Sequence, residues 1–254
     1  MKTEKALPML HSLRSCACGE NGAVLYWMDT GELEDEICFS EYYKRLSRER
    51  RRKVDSYLFK KDKRLSLGAG ILMDKGLSVW GLREREETVS YGKNGKPYLP
   101  CHPYIHFNLS HSGSRVMGVF AGEETGCDVE QMQEADLALG ERFFTRKEYA
   151  FIAGQQGKEG QKEAFFRLWT LKESFLKAVG TGLSLPLDAF EITLSPKGEI
   201  AVCQKTDEAC RLCPGEFEFR EYRMGEYCMA VCFWKKSRLQ PQTWDAQKGA
   251  QKWG

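Results

Sequence analysis

Apolar and polar positions change period several times along the chain, and each change marks an element. Ala23 to Met28 is an unbroken apolar and aromatic run, which predicts a buried strand. Ser40 to Lys53 places Tyr42, Tyr43 and Leu46 behind Ser40, a candidate N-cap, and predicts a helix. A second helix is predicted over Leu65 to Leu82, where Gly68-Ala69-Gly70 lets a neighbour pack closely. Tyr91 to Tyr98 reads as a turn that exposes Lys93 and Lys96. Ile105, Phe107 and Leu109 then alternate with His106, Asn108 and Ser110, a strand of period two. Ser112-Gly113-Ser114 turns the chain, and Val116 to Phe120 returns as the hairpin partner.

The second half repeats this order. Gly126-Cys127-Asp128-Val129-Glu130 alternates small apolar and acidic residues and predicts a short strand. Thr145 with Glu148 three residues on is a capping box. A long helix follows from about Lys162 to Val179, with Leu168, Leu171, Phe175 and Val179 as its buried stripe and Gly180-Thr181-Gly182 as its stop. Leu183 to Thr193 reads as extended, and Glu216 to Arg223 with Tyr227 to Trp234 as a closing hairpin. Residues 1–20 show little periodic order, with a turn signalled by Gly19 and Asn21-Gly22. Glutamine, lysine and glycine dominate after Lys235, and a disordered tail is expected over 237–254. The recurrence predicts an α+β fold of two similar halves, 1–122 and 123–236, although no residue-level repeat is visible.

Side chains two apart on a strand share a face, so Asp128 and Glu130 lie side by side. Two ionised carboxylates at that distance repel, and a hard divalent cation such as Mg²⁺ relieves the repulsion. On the long helix, Glu173 and Lys177 share a face at i, i+4. Glu173 lies roughly 140° from Leu168, off the buried stripe. Carboxylates, a metal and a lysine are the parts needed to handle a diphosphate. Singly, each residue has a plainer reading: an exposed strand face and a surface ion pair. Lys172, near the stripe, is expected to snorkel along its helix.

Charge and cysteine usage narrow the class. Lysine and arginine total 38 against 36 acids, so the net charge is +2 and wholesale nucleic-acid binding is not implied. From Lys44 to Arg64, however, eleven basic residues face three acids, a local balance of 11 − 3 = +8. That stretch is either a solvated face or an anion site. A nucleic-acid reading of it would require interleaved stacking aromatics, and Tyr42, Tyr43, Tyr57 and Phe59 support this only weakly. No apolar run reaches membrane-spanning length and no secretory signal is present. Ten scattered cysteines without export predict reduced thiols and a cytoplasmic protein with no membrane association. Cys210-Arg211-Leu212-Cys213 lacks the second pair of a zinc ribbon.

Taken jointly and in order, Phe107-Asn108-Leu109-Ser110-His111-Ser112, Gly126 to Glu130, Trp169 to Lys177 and Gly182-Leu183-Ser184-Leu185-Pro186-Leu187 resemble the Sfp-type 4′-phosphopantetheinyl transferases. The resemblance runs from about Tyr42 to Phe233. It implies two α+β halves related by a pseudo-two-fold axis, with the active site in the cleft between them. It further implies transfer of the phosphopantetheine arm of coenzyme A to a serine of an acyl or peptidyl carrier protein. Mg²⁺ would assist, and adenosine 3′,5′-bisphosphate would leave. By this likeness Asp128, Glu130 and Glu173 hold the metal, and Glu173, or a metal-bound water nearby, takes the serine proton. Lys177 matches the catalytic lysine on the pyrophosphate. Lys96 resembles an adenine-side contact, Ser110 and His111 a nucleotide-binding pair, and Arg64 a basic residue near the 3′-phosphate. The family often has a hydroxyl residue directly after that arginine; here Leu65 intervenes before Ser66. Two halves around one site imply a monomer. The rival is a module that binds coenzyme A and carrier without catalysis, for which crowded carboxylates serve no purpose.

Overall fold

The computed structural model describes residues 7–18, 22–195 and 197–235. The expected tail at 237–254, and Gly19 and Asn21 of the predicted turn, lie outside the described residues.

Strands β1 (Arg14–Ala17) and β2 (Val24–Asp29) open the chain, followed by helices α1 (Glu36–Tyr43), α2 (Arg48–Ser56) and α3 (Lys60–Ser78). Two-residue strands β3 (Ser90–Tyr91) and β4 (Pro97–Tyr98) precede the hairpin of β5 (His106–Ser112) and β6 (Arg115–Ala121), and β7 (Glu124–Gln131) follows at once. Next come α4 (Leu137–Phe143), α5 (Arg146–Ala153) and α6 (Gly157–Val179). The last described elements are β8 (Phe190–Leu194), β9 (Ile200–Gln204), α7 (Asp207–Leu212), β10 (Glu216–Met224) and β11 (Tyr227–Lys235).

Helices and antiparallel sheets are both present, so the fold is α+β as expected. The first sheet has the order β1-β2-β6-β5 and the second β10-β11-β7. Alternation decides how they stack. Leu25, Met117 and Val119 of the first sheet meet Cys127, Val129, Met229 and Val231 of the second in one cluster. The opposite faces carry helices. Leu67, Ile71 and Leu72 of α3 pack on Met28 and Val116, whereas Leu171 and Phe175 of α6 share a cluster with Ala230 and Cys232. The layers therefore run helix, sheet, sheet, helix.

Several boundaries differ from those the pattern predicts. The helix expected from Ser40 to Lys53 is two helices, because Asp35 caps Cys38 N–H and Ser47 caps Arg50 N–H. Ser47 is itself fixed by Glu84, which accepts from both its N–H and its hydroxyl at 2.7 Å. Helix α3 begins at Lys60 rather than Leu65, and α6 at Gly157 rather than Lys162. The supposedly patternless N-terminus contains β1, whose Cys16 pairs with Leu25. Between residues 182 and 189 the chain makes two short 3₁₀ turns before β8 instead of running extended. Lys172 does not snorkel. It is wholly buried, and its ammonium donates to the carbonyls of Leu187 and Phe190 at 2.7 Å and pairs with Glu148 at 2.9 Å.

Candidate active site

The site begins with a residue that has no side chain. On β7, Gly126, Asp128 and Glu130 face α6, and a Cβ added at Gly126 would lie 2.2 Å from both Ser174 O and Ala178 N. Glycine inside a strand is the mark of such close backbone approach. Because α6 can lie directly on β7 here, Lys177 reaches Asp128 Oδ1 at 2.5 Å. The same, C-terminal end of α6 is fixed in a second way. Gly180 takes the left-handed conformation, φ 77°, and its N–H donates to Leu176 O. Lys96 donates to the Ala178 carbonyl at 2.5 Å, satisfying an orphan acceptor at the negative end of the helix dipole. The predicted lysine-bearing turn is thus a cap for α6, reinforced by Asn94 donating to Gly180 O at 3.0 Å.

On the other side of β7 stands β5. Its Asn108 accepts from Cys127 N–H at 3.0 Å, joining the two sheets at this edge. The same face of β5 then presents a hydroxyl to each carboxylate. Ser110 donates to Asp128 Oδ1 at 2.9 Å, and Ser112 donates to Glu130 Oε2 at 2.6 Å. Ser112 was not among the candidate residues. Its signal was present: Asn108, Ser110 and Ser112 have the same period of two as Gly126, Asp128 and Glu130.

Asp128 acts on the ionisation of both Glu130 and Glu173. Burial pushes the Glu130 carboxyl up, and the neighbouring Asp128 and Glu173 add to the shift against Ser112 and Lys177. Burial likewise raises Glu173, with Asp128 adding and Lys177 opposing. Desolvation alone would depress the Lys177 ammonium, but Asp128 and Glu173 outweigh it and hold it above its ordinary range. Desolvation lowers His111, and the ammonium groups of Lys177 and Lys53 lower it further while Asp62 opposes. Lys53 of α2 and Asp62 of α3 are thus near enough to act on His111.

Asp128 is 2% exposed, and its Oδ2 is buried without a hydrogen-bond partner among the described residues. An orphaned carboxylate oxygen beside two further carboxylates is a donor set suited to Mg²⁺, a hard cation that takes oxygen ligands. Among the described residues no group of three or more His, Cys, Asp or Glu is drawn closely enough together to hold a metal. The donor chemistry fits a cation that keeps several waters and takes only part of its shell from protein.

Asp128, Glu130, Glu173, Lys177 and Ser110 thus converge, whereas His111, next to Ser110 on β5, is exposed on the opposite face of the strand. Lys96 and Arg64 are engaged with other groups. Lys96 pairs with Glu124 at 2.7 Å and Arg64 with Glu34 at 3.0 Å. Two residues beyond Arg64, the buried Ser66 hydroxyl has no hydrogen-bond partner among the described residues. Cys210 is exposed and Cys213 buried, and all ten cysteines are free thiols. No helix among the described residues is long and apolar enough to cross a membrane.

Comparison with known proteins gives two adjoining matches. Residues 35–125 match the family described as 4′-phosphopantetheinyl transferase, N-terminal, and residues 124–232 match the 4′-phosphopantetheinyl transferase superfamily. The 4′-phosphopantetheinyl transferase ffp of Bacillus subtilis is 37% identical over 158 residues, covering 62% of this chain and 70% of the relative. Sfp of Bacillus subtilis strain 168 is 35% identical over the same shares. The transferase gsp of Aneurinibacillus migulanus is 33% identical over 160 residues, 62% of this chain and 66% of that one.

Proposed function

The chain belongs to the 4′-phosphopantetheinyl transferase superfamily, and from that premise we propose that it moves the phosphopantetheine arm of coenzyme A onto a serine of an apo acyl or peptidyl carrier protein, with Mg²⁺. The observation that carries this reading is Asp128, with one oxygen held by Lys177 and Ser110 and the other buried without a hydrogen-bond partner among the described residues.

The serine oxygen attacks the β-phosphorus of coenzyme A. The bond from that phosphorus to the bridging oxygen breaks, and adenosine 3′,5′-bisphosphate leaves. Glu173 takes the serine proton; burial has raised its carboxyl, which makes it a better base than an exposed glutamate. A bound Mg²⁺, held by Asp128 and reached by Glu130 and Glu173 in part through the ion's own waters, would supply positive charge where the diphosphate oxygens develop negative charge. Lys177, kept protonated by Asp128, meets the pyrophosphate. Ser110 and His111 hold phosphate groups from opposite faces of β5, and Ser66 and Arg64 bind the 3′-phosphate with support from Lys53. Lys96 borders the adenine through its stem while its ammonium stays on α6. The protein works as a monomer built of two halves that meet near residue 122, and its free thiols suit a reduced cytoplasm.

Intact mass of an apo carrier protein, measured after incubation with coenzyme A, Mg²⁺ and the enzyme, tests the proposal. One phosphopantetheine arm should be gained, and EDTA should prevent it. Coenzyme A binding without transfer to fatty-acid, polyketide or peptide carriers would instead indicate a docking module.

A further inference from the structure

The turn between β5 and β6 is clamped by a residue of the last strand. Tyr227, at the start of β11, is the cross-strand partner of Gln131 on β7. Successive residues of a strand face opposite ways and cross-strand partners share a face. Tyr227 therefore lies in the cluster between the sheets with Cys127 and Val129, and points away from Asp128 and Glu130. Its hydroxyl accepts from Ser114 N–H at 3.1 Å. Ser114 is also held at its other polar groups. Its hydroxyl donates to Asp29 Oδ2 at 2.9 Å, and its carbonyl accepts from the N–H and hydroxyl of Thr30 at 2.8 and 2.9 Å. Arg115 closes the circuit, with Nε 3.4 Å from Asp29 Oδ2 and its guanidinium 5.2 Å over the Tyr227 ring. Gly113, at the turn, has φ 60°, and a Cβ there would collide with the Tyr227 hydroxyl and Gln131 Oε1.

The clamp bears on the site because the turn begins at Ser112. The Ser112 hydroxyl donates to Glu130 Oε2 at 2.6 Å and accepts from Gln131 N–H at 3.1 Å. A hydroxyl that donates to a carboxylate and accepts from an amide has one orientation, so its place fixes that of the Glu130 carboxylate. Ser112 and Arg115 are cross-strand partners that flank the turn, and a shift of the turn moves Ser112 with it. We propose that Tyr227 is a positioning residue for the metal site. Its hydroxyl pins Ser114, the pinned turn holds the Ser112 hydroxyl, and that hydroxyl orients Glu130 toward a divalent cation and its waters. The proposal rests on the metal-dependent transferase reading above. Groups that orient a ligand without touching the metal set much of its affinity, and Tyr227 does so here from the opposite face of the sheet.

The test uses the full chain as wild type, Ser112→Ala, Tyr227→Phe and the double variant. Tyr227→Phe removes only the hydroxyl and leaves the ring under Arg115. Mn²⁺ binding in the presence of coenzyme A, read from the electron paramagnetic resonance signal of the free ion, gives an affinity independent of turnover. Ser112→Ala should weaken it about tenfold. Tyr227→Phe should weaken it about three- to tenfold, the net contribution of one neutral hydrogen bond. Because Tyr227 acts through Ser112, the double variant should bind Mn²⁺ no more weakly than Ser112→Ala alone. The Mg²⁺ concentration for half-maximal transfer to an apo carrier should rise in the same order. Adenosine 3′,5′-bisphosphate, titrated calorimetrically in EDTA, should bind wild type and Tyr227→Phe alike. Wild-type Mn²⁺ affinity in Tyr227→Phe, or losses that multiply in the double variant, would overturn the proposal. So would an equal loss of bisphosphate affinity, which marks a general loosening of the fold. If the wild type itself binds no Mn²⁺, the metal reading fails and the proposal with it, so the two failures are distinguishable.

Discussion

At the scale of single residues, Glu173 shows how function and stability oppose each other. Burial and Asp128 both disfavour its ionised form in the folded chain, so at neutral pH the carboxylate is a cost to folding. Glu173→Gln removes that cost together with the base. Turnover should fall by about 10² to 10³ while Tm holds or rises. Asp128→Ala should lose activity to a similar degree, about 10² to 10³, but without the gain in Tm, because Lys177 is left without its carboxylate. Thermal scans beside transfer assays separate the two; equal losses of Tm would contradict the assignment. Spacing singled out Asp128, Glu130, Glu173 and Lys177, and the family likeness added Ser110; Lys96 and Arg64, also drawn from that likeness, pair with Glu124 and Glu34 instead. Ser112 was not legible, because its partner Glu130 sits on another strand and only the matched period of two links them. The departure at Leu65 also takes on meaning here, since Ser66, one position later, has the buried hydroxyl that lacks a partner among the described residues.

At the scale of elements, the site depends on how closely α6 lies on β7. Gly126→Ala places a methyl carbon 2.2 Å from the helix backbone, where no side chain can move aside. The helix must lift, and a cost of about 1 to 3 kcal/mol is expected. Tm and turnover should therefore fall together, unlike in Glu173→Gln. The opposite flank of α6 is held by Lys172, whose partner Glu148 also accepts from Thr145 N–H at 2.8 Å and Ile192 N–H at 2.7 Å. One carboxylate thus ties α5, α6 and β8. Lys172→Met leaves Glu148 buried and unpaired and should destabilise by about 3 to 5 kcal/mol, measurable by urea unfolding. Adding Glu148→Leu should recover part of that loss in the double variant. The sequence displayed the capping box of Thr145 and Glu148 plainly, but capping boxes are local. That the same glutamate also meets a buried lysine depends on tertiary packing, so helical spacing favoured snorkelling instead. The break between α1 and α2 was hidden for a similar reason: Ser47 is a cap stabilised by Glu84, far along the chain.

At the scale of the whole molecule, the fold class and the longer elements were readable because hydrophobic period is local, β1, β9 and α7 were too short to show one, and the helix–sheet–sheet–helix stacking follows from which face of each sheet finds the other. One cluster holds the first part of the chain to the end of α6. Lys96, following the β3–β4 turn, donates to Ala178 O and pairs with Glu124 at the start of β7, and His106 of β5 lies 3.4 Å from the same carboxylate. Burial alone would raise the Glu124 carboxyl, but His106 and Lys96 overcome it and hold the group far below its ordinary value of 4.5. The sign follows from linkage. A carboxyl depressed in the folded state contributes stability above its unfolded pKa, and the contribution is lost as pH falls from there toward the folded value. Glu124→Gln should therefore destabilise the protein by about 1.5 to 3 kcal/mol at neutral pH. The gap between wild type and variant should stay constant down to about pH 6 and narrow steadily below about pH 4.5. Urea midpoints taken across that range provide the check. A gap that widened in acid would mean that Glu124 is protonated more readily in the folded chain than in the unfolded one, and that the contact between the turn and α6 is not held by its charge.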